Sequence, residues 1–254
     1  MFQTEPGSAF PFLQMIKVLE QPDFGAAMVL GPRVANIVTR WPGSLLFGEA
    51  LIAPPRPGEL ALTFDDGPNS AWTPRLLDLL ARHNVPASFF LVGSRAKAEP
   101  ALVRRLVAEG HLIGNHSWSH PNLAKCCKTR IHEELVQTND TLEQITGAPV
   151  QYFRPPFGAW RPAVLRTARA LGLRTVLWNA MTGDWNEPSA DRIAKHLTKK
   201  IDRATSSGQA ANIVLHDGGD LEPGANRGPS VEAAGLLAAW HKARYQFVKL
   251  NAWE

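Results

Sequence analysis

The 254-residue chain predicts an α/β protein: a distorted (β/α) barrel of about seven parallel strands, preceded by a short N-terminal extension. Three observations carry this. Short apolar runs alternate with amphipathic helical stretches from residue 58 to the C-terminus, the pattern of parallel strands joined by right-handed crossovers. About seven such units follow one another, which favours a closed or nearly closed barrel over an open sheet. No Gly-rich phosphate loop follows the first strand, so a dinucleotide-binding fold loses its main support.

The elements follow in order. The first strand is Leu60–Phe64, and the helix after it opens at Thr73 as N-cap and Pro74, with Leu76, Leu77 and Leu80 on one face. Strand Ala87–Val92 precedes a helix from Pro100 that Gly110 stops. His111–Gly114 precedes a helix from Arg130 to Thr146, closed by Gly147. Gln151–Phe153 leads to a helix at Pro162, and Arg174–Trp178 to one near Ser189. Asn212–Leu215 leads to a helix capped by Ser230, and Gln246–Leu250 ends the series. Ahead of all this, the breaker cluster Ala53–Gly58 reads as a linker, which divides the chain into an extension and linker (1–57) and a main domain (58–254).

Composition narrows the partners. Against 27 Lys+Arg stand 23 Asp+Glu, a surplus of four charges, and charged residues make up 20%. A field that weak does not point to nucleic acid. The densest basic run, Lys195–Lys200, reads as the solvated face of a helix. Cys126 and Cys127 are adjacent, which fits neither a disulfide framework nor a CxxC metal site, so both are expected reduced. The apolar stretch Gly25–Val38 is interrupted by Pro32 and Arg33 and is too short to span a bilayer. With no secretory leader at its start, the chain as written is expected in the cytoplasm, or in the envelope or outside if a leader was removed.

Polar residues cluster at the strand ends: Asp65 and Asp66, His116, Arg154, Asp184, and His216. In a parallel barrel those ends share one rim, where such folds build active sites. His116 and His120, spaced i,i+4, would stack two imidazoles on one face if the segment made a helical turn. A third ligand and a base must come from elsewhere, and Asp65–Asp66 offers one of each. Two His and one carboxylate suit zinc with an open position, and could also hold non-haem iron.

Thr63-Phe64-Asp65-Asp66-Gly67-Pro68, His116-Ser117-Trp118-Ser119-His120, Arg154-Pro155-Pro156-Phe157-Gly158, Asp184-Trp185 and Val214-Leu215-His216-Asp217 resemble, in order, the five motifs of the polysaccharide deacetylases, the NodB-like domain of carbohydrate esterase family four. The resemblance runs from about Gly58 to Leu250. It implies a hydrolase that removes N-acetyl groups from an N-acetylglucosamine-containing poly- or oligosaccharide, chitin-like or peptidoglycan-like. It assigns the metal to Asp66, His116 and His120, the base to Asp65 aimed by Arg154, and the general acid to His216 supported by Asp184. The oxyanion donor is then the backbone N–H of Phe157, Trp185 and Val214 wall an acyl pocket, and Trp160 offers a sugar subsite. One divalent cation is implied, zinc first, with cobalt, nickel or another divalent ion as alternatives. Two positions depart from the family pattern: Met181 stands where an acid is common, and Val214 where Leu is common. The rival functions are deformylation or deacylation of a lipid-linked amino sugar or small amide, and a barrel that binds glycans without hydrolysing them.

Overall fold

The computed structural model describes residues 50–220, 222 and 224–254. Most of the N-terminal extension, with its apolar stretch Gly25–Val38, lies outside the described residues. The elements are β1 (Glu59–Gly67), α1 (Thr73–His83), β2 (Ala87–Leu91), α2 (Gly93–Ala98), α3 (Pro100–Ala108), β3 (Leu112–Asn115), α4 (Lys128–Thr146), β4 (Tyr152–Phe153), α5 (Pro162–Ala170), β5 (Arg174–Thr175), β6 (Ala180–Met181), α6 (Ala190–Ser206), β7 (Ala211–His216), α7 (Gly228–His241) and β8 (Gln246–Phe247). Every strand pair is parallel. The order across the sheet is β5-β4-β3-β2-β1-β7-β6, with β8 beside the start of β1. This is the predicted barrel, distorted because β5 and β6 do not pair.

Period-2 alternation in β1 explains how two cores share one strand. Leu60, Leu62 and Phe64 face the helices and join Phe89, Leu91, Leu76 and Leu80 in the outer core. Ala61 faces inward with Phe90, Tyr152, Val176, Val248, Leu250 and Trp253, which fill the inside of the barrel. Thr63 and Asp65 share that inward parity and are buried. Each fully buried leucine contributes roughly 1.5–3 kcal/mol through the apolar surface it removes from water. The chain therefore rises from an apolar floor to a polar rim.

Residues 50–57, counted with the extension and linker, bridge from the end of β5 to the start of β7. Leu51 and Ile52 are buried. Leu51 N–H donates to Thr175 O (2.8 Å), Leu177 N–H donates to Leu51 O (2.8 Å), and Ala210 N–H donates to Pro54 O (2.9 Å). Asn212, buried on β7, donates from Nδ2 to Ile52 O (3.0 Å) and Leu177 O (2.7 Å).

Gly110 and Gly147 end their helices at positive φ, as expected of C′ and C-cap glycines. Ser189 caps α6, accepting from Arg192 N–H. The Lys195–Lys200 run lies on α6 with its four charged and imidazole side chains exposed, while Ile193, Ala194, Leu197 and Ile201 are buried. Two expected caps are corrected. Thr73 is inside α1 rather than at its N-cap, which is Trp72, and its hydroxyl donates to Asp217. Ser230 is likewise inside α7, and its hydroxyl donates to Asp184 Oδ2 (2.7 Å). Both hydroxyls are drawn away from the helix ends by buried carboxylates, which are stronger acceptors. Cys126 and Cys127 are free thiols. Among the described residues no helix is long and apolar enough to cross a membrane.

Candidate active site

The rim of the barrel gathers the polar strand ends. Asp65, at the end of β1, stands directly opposite His216 of β7 in the strand register. Residues so paired point their side chains to the same face of the sheet. Beneath Asp65 lies Arg154, with no exposed surface. Its Nη1 donates to Asp65 Oδ1 (2.7 Å) and to Thr63 Oγ1 (2.8 Å), and Nη2 reaches Asn212 Oδ1 at 3.4 Å. The Thr63 hydroxyl spends its own proton on Ile213 O (2.7 Å), which leaves its lone pairs for the guanidinium. Phe90 lies under the guanidinium, 4.1 Å from ring centroid to Cζ. These bonds fix the carboxylate in one orientation.

Asp66, His116 and His120 form a buried group whose ligand atoms lie within 4.8 Å of one another. His116 Nε2 is 3.3 Å and His120 Nε2 3.0 Å from Asp66 Oδ1. Burial by itself would raise the Asp66 carboxyl, but the two imidazoles, when protonated, outweigh it and hold the group well below the usual carboxylate range. The tautomer of His116 follows from its other nitrogen, 2.8 Å from Arg154 O. A carbonyl only accepts, so Nδ1 carries a proton and, in the singly protonated ring, Nε2 turns a lone pair toward a carboxylate oxygen. Asp66 Oδ1 has no hydrogen-bond partner of good geometry although it is buried. Converging lone pairs with a second nitrogen beside them suit a divalent cation, and the donor set of two imidazoles and one carboxylate suits zinc.

The i,i+4 spacing works here without a helix. Residues 116–120 form an irregular loop in which Ser117 (φ 63°) and His120 (φ 57°) are left-handed. The imidazole centroids are 5.0 Å apart. Asp66 is left-handed too (φ 70°), and its carbonyl accepts from Arg95 Nη1 (2.6 Å). Two glycines make room around Asp66 and Asp217. A Cβ on Gly218 would fall 1.9 Å from Asp66 O, and one on Gly67 would fall 2.6 Å from both oxygens of Asp217. Asp217 is fully buried, and burial, reinforced by the Asp66 charge and opposed by the Thr73 hydroxyl, pushes its carboxyl up to about 7.

His216 is held by Asp184, whose Oδ1 lies 2.9 Å from Nδ1 and whose Oδ2 accepts the His216 backbone N–H (2.9 Å). Burial would lower the imidazole, but the Asp184 charge reverses this and raises it to about 9. A protonated imidazole at neutral pH results. The Trp185 ring meets His216 edge-on at 5.0 Å and is 44% exposed. Phe157 (φ 60°) sets its ring 4.7 Å from His120 and is 56% exposed. The two aromatic rings thus border the imidazoles from the solvent side.

Val214 is buried, with the inward parity of Asn212 and His216, and stands opposite Met181 in the β6–β7 register. The two departures from the family pattern are therefore neighbours. Trp160 is a correction: it belongs to the core at 7% exposure, so its ring presents no platform to a sugar. Its indole packs among apolar side chains, where burying a large ring outweighs leaving it at the rim. Thr63, Asn212, Ser230 and Asp217 also serve the site, and sequence reasoning assigns them no part in it. Thr63 and Asp217 stand inside quoted motifs without a role of their own, and for Asn212 the signal is a polar residue at an inward position of an otherwise apolar strand.

The family model for polysaccharide deacetylases matches residues 53–176. A chitooligosaccharide deacetylase of Sinorhizobium fredii is 40% identical over 159 residues, covering 62% of this chain and 71% of the relative. Among solved structures, the Bc1960 peptidoglycan N-acetylglucosamine deacetylase superposes with a TM-score of 0.72 at 35% identity, over 80% of this chain and 91% of that one. A pseudoenzyme of carbohydrate esterase family four from Bacillus anthracis reaches the same TM-score of 0.72 at 25% identity, over 82% of this chain and 69% of that one. Likeness of fold thus extends to a protein described as a pseudoenzyme, and the chemistry has to be read from side chains. With the motif residues gathered at one rim and these relatives matched along most of their length, the chain belongs to the polysaccharide deacetylase family.

Proposed function

We propose that this chain is a metal-dependent N-deacetylase of N-acetylglucosamine-containing glycans, chitooligosaccharide-like or peptidoglycan-like. The observation that carries the reading is the register of β1 and β7, which sets Asp65 beside His216 at the edge of the Asp66–His116–His120 group. Each is backed by a partner of opposite charge, Arg154 for Asp65 and Asp184 for His216. A base and an acid of that kind are what amide hydrolysis needs.

A divalent cation, zinc first among the candidates, would be held by Asp66, His116 and His120 and would supply Lewis-acid polarisation. Asp65, aimed by Arg154, takes the proton of the attacking water. The backbone N–H of Phe157 is the proposed donor to the oxygen on which charge develops. An amine cannot leave as an anion, so His216 gives its proton to the amide nitrogen as the C–N bond breaks. Asp184 stabilises the imidazolium before that transfer.

Incubation with N-acetylated chitooligosaccharides and with peptidoglycan should release acetate and no formate. Chelation should stop the release and added zinc should restore it. A fully metal-loaded protein that frees formate but no acetate would support the deformylase reading, and one that frees neither would support the glycan-binding barrel.

The two tryptophans should part ways. Trp185→Ala should raise KM for oligosaccharides several-fold with little loss of stability, because a ring 44% exposed packs against few neighbours. Trp160→Ala should instead destabilise the fold by roughly 3–5 kcal/mol, as removal of a buried aromatic ring does. Thermal melts with steady-state kinetics on both variants check this.

A further inference from the structure

The loop that carries both histidine ligands rests on a carboxylate that the chemistry above does not use. The buried stripe of α4 is Ile131, Glu134, Leu135, Thr138 and Leu142. Glu134 occupies an apolar position of that stripe and is 1% exposed, where an acid seldom stands without dedicated partners. Its partners are the residues between the ligands. Oε2 accepts the backbone N–H groups of both Trp118 and Ser119, each at 2.8 Å. Oε1 accepts the Ser119 hydroxyl at 2.7 Å and pairs with Arg130 Nη2 at 2.5 Å.

The flanking amides are satisfied by side chains as well. Ser117 N–H donates to Asn115 Oδ1 (2.8 Å), and His120 N–H donates to Ser117 Oγ (3.1 Å). Four successive N–H groups therefore point at side-chain oxygens, in a loop with no helical bonds and two left-handed residues. Such a loop has no conformation of its own to fall back on. The spacing of the imidazoles depends on what holds those amides, and Glu134 holds the central two.

We propose that Glu134 is a positioning residue for the metal site: by anchoring the Trp118 and Ser119 amides to α4 it sets the separation of His116 and His120, and with it the affinity for the cation. This rests on the proposal that Asp66, His116 and His120 bind a metal. Glu134 touches none of the three ligand side chains and acts through the backbone between two of them. Groups that orient ligands from behind commonly govern affinity by roughly 10–100-fold.

The test measures zinc affinity by competition with a chromophoric chelator for the whole chain and for Glu134→Ala and Glu134→Gln. Glu134→Ala should bind zinc roughly 10–100-fold more weakly. Glu134→Gln should stay within a few-fold of wild type. Its amide oxygen can keep both backbone bonds while its NH2 donates to the Ser119 hydroxyl, and Arg130, a half-exposed side chain that has only donors to offer an NH2, turns away to solvent. A Gln variant as weak as Ala would mean that charge rather than anchoring sets the affinity, and would overturn the proposal. So would a folded Ala variant that binds as tightly as wild type. If Glu134→Ala does not fold, Glu134→Asp replaces it: the charge stays but the reach is one methylene short, so weak binding is expected and wild-type binding is the contrary result. A wild-type chain that binds no zinc would overturn the metal reading along with this one, whereas tight binding by wild type and variants alike would overturn the positioning role alone.

Discussion

Asp65→Asn should keep zinc bound while lowering kcat by roughly 100- to 10,000-fold, the usual loss when a general base is removed. Asp66→Asn should do the opposite, losing zinc first and activity in consequence. The two carboxylates are neighbours in sequence but face different partners. Asp65 turns inward to Arg154, and Asp66, on a left-handed backbone, turns to His116 and His120. An amide at 65 can still accept from Arg154 and preserve the geometry, yet it cannot take a proton from water. An amide at 66 is a neutral and poorer ligand for a hard cation. Metal content by elemental analysis, with turnover at saturating zinc, separates the two. Equal zinc content and equal activity in both variants would refute the division of labour.

The second large effect concerns pH. The His216 imidazole stands at about 9 because the Asp184 charge overcomes burial. In wild type, kcat/KM should therefore fall on the alkaline side near that value, as the general acid loses its proton. The sign for Asp184→Asn follows from the two opposing causes. With that charge gone, burial is opposed only by the smaller effects of the Asp66 and Asp65 charges and the imidazole titrates at lower pH, so the alkaline limb moves toward neutrality and the bell narrows. A return to the ordinary imidazole value near 6.5 would leave only a few per cent of the acid protonated at pH 8, roughly a thirtyfold loss there. At pH 6 the loss should be much smaller. The acid-side limb should barely move, because Asp184 bonds to His216 and Ser230 and not to Asp65. The profile of kcat/KM against pH for both proteins is the measurement, and an alkaline limb unmoved at intact zinc content would show that Asp184 does not tune His216.

Much of this site is legible in the sequence because its residues sit at strand ends, and strand ends are visible as the edges of apolar runs. β1, β2 and β7 stand out for that reason. β4, β5 and β8 show as short runs, Gln151–Phe153, Arg174–Trp178 and Gln246–Leu250, of which only two residues each pair as strand. Nothing in the local pattern announces β6 or the short helix α2. Their conformation comes from neighbours already in place. Hydroxyls near helix starts mislead for a related cause. Thr73 and Ser230 have the chemistry of caps, and nothing local tells a capping hydroxyl from one that serves a buried carboxylate. Trp160 is ambiguous in the same way, since an indole suits a rim and a core alike. The spacing of His116 and His120 pairs them correctly, but the helical turn that it suggests does not exist.

The sequence by itself determined the class of fold, the motif residues, and the pairing of a two-histidine, one-aspartate group with a base and an acid. The fold class follows from periodicity and the candidate residues from their place at strand ends, whereas the division into metal group, base and acid is what the family resemblance implies. Only the tertiary structure decided which hydroxyls, amides and carboxylates stand behind that group. Arg154 meets Thr63 and Asn212 across the inside of the barrel, Asp184 meets Ser230, and Glu134 meets the amides of a loop from an adjacent helix. Each bond joins groups 15 or more positions apart except for Arg130 and Glu134, which share a helix turn. A buried donor must find an acceptor wherever the fold brings one near. That choice is made by three-dimensional proximity, which no local pattern in the chain encodes.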